Sequence, residues 1–224
     1  MRRTIIPILS CGLAVLCAGP THADILSVSG AMSILAPPVS VAGEGITESS
    51  AAIFIIDEGV SIVPPGPPDL FVNAFGPGPH GDSFPPSLLL PPGSIFHSYL
   101  VHFDPAGGVV ALTGGVTFDP GEVIFGIQTH TPLLYSTDGP FGHPSVVYPG
   151  AFISTRGFDT LPAPADVVTI AGDLNSAIFS LTAELGVDQA RIFTVPVPEP
   201  STAALLVVGA VMLGLARRRR ARWR

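Results

Sequence analysis

Ile95-Phe96-His97-Ser98-Tyr99-Leu100-Val101-His102-Phe103 sets large side chains at 95, 99, 101 and 103, and Asp104-Pro105 closes the run as a turn. Neighbouring residues of a strand point to opposite sides, so those four share a face fit for burial. Seven further runs share this character: 25–35, 51–56, 109–118, 123–129, 167–170, 177–185 and 191–195. Each is rich in Val, Ile, Phe and Thr and bounded by Gly, Pro, Asp or Asn. Between the two termini no window holds a helical period for long. Helix is expected for one or two turns at most, around 133–137 or 181–186. The pattern predicts an all-β protein, a single antiparallel two-sheet sandwich of jelly-roll or immunoglobulin-like type over 24–195. That length suffices to bury roughly 70% of the unfolded surface in one core.

The interval 64–92 breaks the rhythm. It holds 10 of the 25 prolines, with Gly66, Gly76, Gly78 and Gly81. Proline cannot donate to a ladder, so a central strand is disfavoured here. The reading is a stiff excursion within one domain, with Leu70-Phe71-Val72 and Leu88-Leu89-Leu90 docking as edge pieces. A linker is the alternative, but 24–63 alone makes too small a core.

Charge is divided sharply along the chain. All 17 acidic residues lie in 24–199, against Arg156 and Arg191 alone, giving that region a formal charge of −15. The chain contains no lysine. Phosphate backbones require clustered Lys and Arg, so no nucleic-acid partner is expected. The cysteines, Cys11 and Cys17, both precede residue 24. A disulfide framework and a cysteine nucleophile are therefore excluded for 24–195.

Both termini read as membrane signals. Arg2-Arg3, the apolar 5–18 and Thr21-His22-Ala23 form a secretory signal peptide, with cleavage expected between Ala23 and Asp24. A lipoprotein signal at Leu9-Ser10-Cys11 and a twin-arginine signal at Arg2-Arg3 are minor alternatives. At the other end Pro198-Glu199-Pro200 precedes an uncharged apolar run, 201–216, and then Arg217, Arg218, Arg219, Arg220, Arg222 and Arg224. Sixteen helical residues span about 24 Å. That is slightly short of the ~30 Å hydrocarbon core, so the arginines would snorkel. The positive-inside rule puts the C-terminus in the cytoplasm. Pro196, Pro198 and Pro200 hold an extended stalk ahead of the helix.

This tripartite tail, 196–224, resembles the PEP-CTERM sorting signal of Gram-negative bacteria. The resemblance implies recognition by an exosortase, a membrane-embedded cysteine protease-transpeptidase. It further implies passage through the inner membrane, processing near Pro198-Glu199-Pro200, and delivery to the cell surface or extracellular matrix. A permanent tail anchor is the competing reading. Segments 99–105, 115–119, 156–159 and 187–192 are also similar to stretches of other PEP-CTERM ectodomains, which implies a shared β-domain but brings no activity.

Motifs for catalysis are sparse. Gly76-Pro77-Gly78-Pro79-His80-Gly81 has dinucleotide-type glycine spacing, but Asp82-Ser83-Phe84-Pro85-Pro86 follows where a helix should begin. Gly81-Asp82-Ser83 is similar to the nucleophile block of GDS-type esterases, yet the Asp-x-x-His and Gly-x-Asn-Asp blocks are missing, leaving Ser83 without an activating base. His97 and His102 sit five apart on one strand and so face opposite ways. His80, His130 and His143 read as exposed polar residues. Asp104, Asp119, Glu122, Asp138, Asp159, Asp166, Asp173 and Asp188 stand beside turns, where Asp bonds to the backbone. Calcium takes oxygen ligands from such loops, and a glycosidase pair could lie in the same set. Arg156 and Arg191 are expected to be buried, paired with Asp159 or Asp188.

The expectation is an exported, non-catalytic surface or matrix protein, sorted by an exosortase and associated with exopolysaccharide or biofilm. No cofactor is expected, calcium being the alternative, and no catalytic residue is assigned. A carbohydrate- or calcium-binding module is the second reading and a secreted hydrolase the third. An ice-binding face is disfavoured, because Thr-x-Thr ladders are absent beyond Thr129-His130-Thr131.

Overall fold

The computed structural model describes residues 24–42, 47–65, 69–81, 88–149, 156–159, 164–184 and 186–197. The described chain runs β1 (Ile25–Gly30), β2 (Met32–Ile34), β3 (Val39–Ser40), β4 (Ile53–Ile62), β5 (Phe71–Val72), β6 (Gly78–His80) and β7 (Leu88–Leu89). It continues through β8 (Ile95–Phe103), β9 (Val110–Phe118), β10 (Glu122–Gln128), α1 (Thr131–Phe141), β11 (Val146–Val147), β12 (Val167–Ile170), β13 (Ser176–Ala183) and β14 (Asp188–Pro196). The protein is mostly β, as the alternating pattern predicts.

Two five-stranded sheets carry most of it. The first has the order β1-β9-β13-β12-β6, the second β10-β14-β8-β4-β2. Their facing sides share one core. Val116, Phe118, Val168, Ile170, Ala177, Phe179 and Leu181 come from the first sheet, and Ile53, Ile55, Tyr99, Val101, Phe103, Ile124, Ile127 and Ile192 from the second. The odd positions of β8 from 99 to 103 thus bury where their alternation placed them. Ile95 departs from that row and is 54% exposed.

The outer side of the second sheet is covered too. Phe96 and Phe193 pack with Val63, Leu70, Val72, Leu90 and Phe141, while Ile56 and Leu100 pack with Val41 and Val146. Buried β8 residues therefore alternate between the inter-sheet core and the outer clusters, and both faces of this strand are buried. The 64–92 excursion supplies part of the cover. β5 pairs antiparallel with β7, Gln128 Nε2 donates to the Phe71 carbonyl at 2.6 Å, and the Thr129 amide donates to Asn73 Oδ1 at 2.8 Å. β6, with Pro79 inside it, forms an edge of the first sheet beside β12. An edge position tolerates the missing N–H.

Three expectations are corrected. The sheets are not wholly antiparallel: β2 pairs parallel with β4, and β3 with β11. The predicted strand 25–35 is two strands in different sheets, because the chain crosses at Gly30 (φ 61°), where a Cβ would lie 2.5 Å from the Thr113 carbonyl oxygen. Helix α1 exceeds the two turns expected. It takes Pro132 in its first turn, where no N–H is needed, and buries Leu133, Leu134, Thr137 and Phe141. Of the other helical candidate, 181–186, the first three residues are the end of β13, where Leu181, Thr182 and Ala183 are all buried.

Candidate functional site

The described chain begins and ends at one turn. The Asp119 amide donates to the Asp24 carbonyl at 3.2 Å, and the Val197 amide donates to the Gly121 carbonyl at 2.7 Å. The β9–β10 turn therefore ties the exposed Asp24 to the exit point of the tail. Ala23, Pro198, Glu199, Pro200, the 201–216 run and Arg217, Arg218, Arg219 and Arg220 lie outside the described residues, as does Ser83.

Among the described residues a buried polar cluster lies between α1 and the second sheet. Arg191 forks onto Glu58, with Nε to Oε2 at 2.6 Å and Nη2 to Oε1 at 2.8 Å. Its Nη2 also reaches Asp138 Oδ1 at 2.9 Å, and Nη1 reaches Thr137 Oγ1 at 2.6 Å. Arg156 binds both oxygens of Asp138 and donates Nε to Gln189 Oε1. Tyr148 closes the cluster, its hydroxyl donating to Glu58 Oε1 at 2.6 Å. Both arginines are buried, as expected, but the partner expectation is wrong. Asp138 and Glu58 hold them, not Asp159 or Asp188. Glu58 gave no turn signal because it occupies the irregularity in β4 between Asp57 and Gly59, where the register to β8 shifts. That bulge places Glu58 beside Arg191.

His97 and His102 are held by contacts within the domain. His97 Nε2 lies 2.7 Å from Oδ1 of the exposed Asp57, and Nδ1 lies 3.2 Å from the Tyr99 hydroxyl. Burial by itself would raise Asp57, but the hydrogen bond and charge of His97 bring it below the ordinary value. His102 is fully buried on the opposite side, with Nδ1 2.9 Å from Gln189 Nε2, and burial lowers its pKa to about 4. The two histidines thus face apart. His80, His130 and His143 are half-buried rather than exposed.

The turn carboxylates divide into three groups. Asp138 joins the arginines. Asp119, Glu122 and Asp173 gather around Asn175, whose side-chain amide donates to the Asp119 and Glu122 carbonyls at 2.8 and 2.9 Å and whose backbone amide donates to Asp173 Oδ1 at 3.0 Å. Asp104, Asp159, Asp166 and Asp188 come together at the far end of the sandwich. Asp166 accepts the Asp159 amide at 2.8 Å and the Thr182 amide at 2.7 Å. Burial first, then the charges of Asp166 and Asp159, push Asp188 well above the usual carboxylate range. Among the described residues no group of three or more His, Cys, Asp or Glu is placed to hold a metal ion. Also among them, no helix is long and apolar enough to cross a membrane.

The described residues form a β-rich domain whose two ends meet at one turn. The tail supplies the rest: residues 196–220 match the PEP-CTERM protein-sorting motif. That motif indicates a chain sorted by an exosortase and exported through the membrane to the cell surface. No curated protein and no solved structure shows a significant match to it.

Proposed function

We propose that the exported domain is a non-catalytic surface protein, retained at the cell exterior in association with exopolysaccharide. The sorting motif at 196–220 carries this reading, because exosortase sorting directs a chain toward the cell surface. The interior supports it. Arg156, Arg191, Glu58, Asp138 and Gln189 are consumed by one buried network, and His97 is tied to Asp57 and Tyr99. Groups engaged in this way are not presented to a substrate at a solvent-open site. Fractionation of cells producing the full chain tests the proposal. Retention in the polysaccharide matrix, released by glycan digestion, is the expected result. Release as a free soluble protein, or ester or glycoside turnover by the purified chain, overturns it.

A calcium-binding module is the second reading, in which the ion would have to draw Asp104, Asp159, Asp166 and Asp188 closer together, since no three of them are placed to hold it as they stand. Calcium would have to displace the proton on Asp188, so its binding would strengthen as pH rises.

A further inference from the structure

The end of the sandwich that releases the tail carries an uncovered apolar ledge. Ile62 and Ile95 are cross-strand partners, and Val60 pairs with His97 one step inward. Alternate residues of a strand share a face, so Val60, Ile62 and Ile95 lie on one side of the second sheet. They are 47%, 61% and 54% exposed, against 0–5% for His97, Tyr99 and Val101 further along the same face. The next strand over is β14. Thr194 stands opposite His97, and continuing that register sets Pro196 beside Ile95, with Glu122 beyond it. The chain therefore leaves the domain one strand from Ile95 and two from Ile62, about 5 and 10 Å away.

From Val197 the apolar run begins four residues on, at Ser201. Four extended residues reach at most about 14 Å. While the tail is in the bilayer this end of the domain cannot move far from the membrane surface. Asp24, on the same turn, brings the N-terminal signal to the same place until it is cleaved. Two membrane-directed segments thus leave from one end, and that end carries the ledge.

We propose that Val60, Ile62 and Ile95 dock onto the bilayer surface that holds the chain's own tail, seating the domain upright before the tail is processed. The proposal rests on the tail reading above. Apolar side chains gain by leaving water for the headgroup–acyl boundary. Asp57, Asp119 and Glu122 stand close by, so the favoured surface is neutral, and anionic lipid weakens the contact. Once the tail is removed the tether is gone, and a ledge of three residues is too small to hold the domain on the membrane by itself.

The test uses the full chain with Cys11→Ser and Cys17→Ser, reconstituted in phosphatidylcholine vesicles. Single spin-labelled cysteines replace Ile62, Ile95 or, as the far-end reference, Val109, which is 55% exposed. Flotation with the vesicles reads the tail. Relative accessibility to oxygen and to a water-soluble nickel chelate reads the ledge. Labels at 62 and 95 should favour oxygen several-fold over the Val109 reference, and less so when half the lipid is phosphatidylglycerol. A chain that floats with all three labels equally open to the nickel chelate overturns the docking and leaves the tail reading standing. A chain that does not float overturns both. Labels at 62 and 95 shielded from both reagents, in detergent as in vesicles, show that protein covers the ledge, which also overturns the proposal.

Discussion

The guanidinium of Arg191 and the carboxylate of Glu58, 133 residues apart, form a two-pronged ion pair with both side chains at 0% exposure. Such a pair loses much hydration on burial, and good geometry with filled remaining bonds is needed to offset it. Thr137, the Leu134 carbonyl, Asp138 and Tyr148 complete those bonds. The pair therefore joins β4, β14 and α1 in a single arrangement.

Glu58→Ala should destabilise the domain by about 3–5 kcal/mol, since it strands a buried guanidinium. Asp138 still faces Arg191, so the lower half of that range is expected. Denaturant melts check this, and a loss below about 1 kcal/mol would show the pair to be dispensable.

Stability should fall as pH rises. Burial, then neighbouring carboxylates including Asp104, raise the folded Asp188 to about 9, and burial raises Asp166 to about 6. Both stand above the unfolded value near 4, so their contribution is complete below pH 4 and disappears as pH climbs through 6 and 9. His102 acts oppositely: lowered to about 4, its contribution is lost as pH falls from 6.5 through 4. Melting temperature should drop between pH 6 and 9. Asp188→Asn, which mimics the protonated acid, should flatten that drop. Parallel curves for the two proteins would refute the assignment of the drop to Asp188.

Gly30→Ala should cost about 1–3 kcal/mol, because an L side chain is strained at positive φ and its Cβ meets the Thr113 carbonyl. Gly59→Ala, at φ 89° but with open space around it, carries the backbone strain alone and should cost less. Thermal melts of the two variants give the comparison.

Processing should remove the arginine cluster. Mass spectrometry of the surface form should find no peptide from 217–224, Trp223 included, and Glu199→Ala should leave the tail uncut. An intact C-terminal peptide on the mature surface protein would mean a permanent anchor.

Calcium should leave the melting temperature unchanged at neutral pH if Asp188 keeps its proton. A real site would stabilise by about 2.7 kcal/mol at 100 times its dissociation constant. A rise across millimolar calcium, lost in Asp188→Asn, would establish the metal-binding reading.

The β class, the extents of β8 and β12, and the tail with its destination were legible along the chain. Each is a local signal: two-residue alternation, turn residues at strand ends, and a box, apolar run and arginine cluster in order. Other features depended on what meets across the sheets. The break at Gly30 was hidden because 25–35 is apolar enough for one strand, and only the approach of Thr113 demands the corner. Asp159 and Asp188 looked like partners for the arginines because they are near in sequence. Glu58 holds Arg191 instead, since a bulge in β4 and the antiparallel register of β8 and β14 place it there. Asp188, by contrast, ends among other carboxylates. Ion pairing falls steeply with distance in space, and strand register, which no local pattern records, sets that distance.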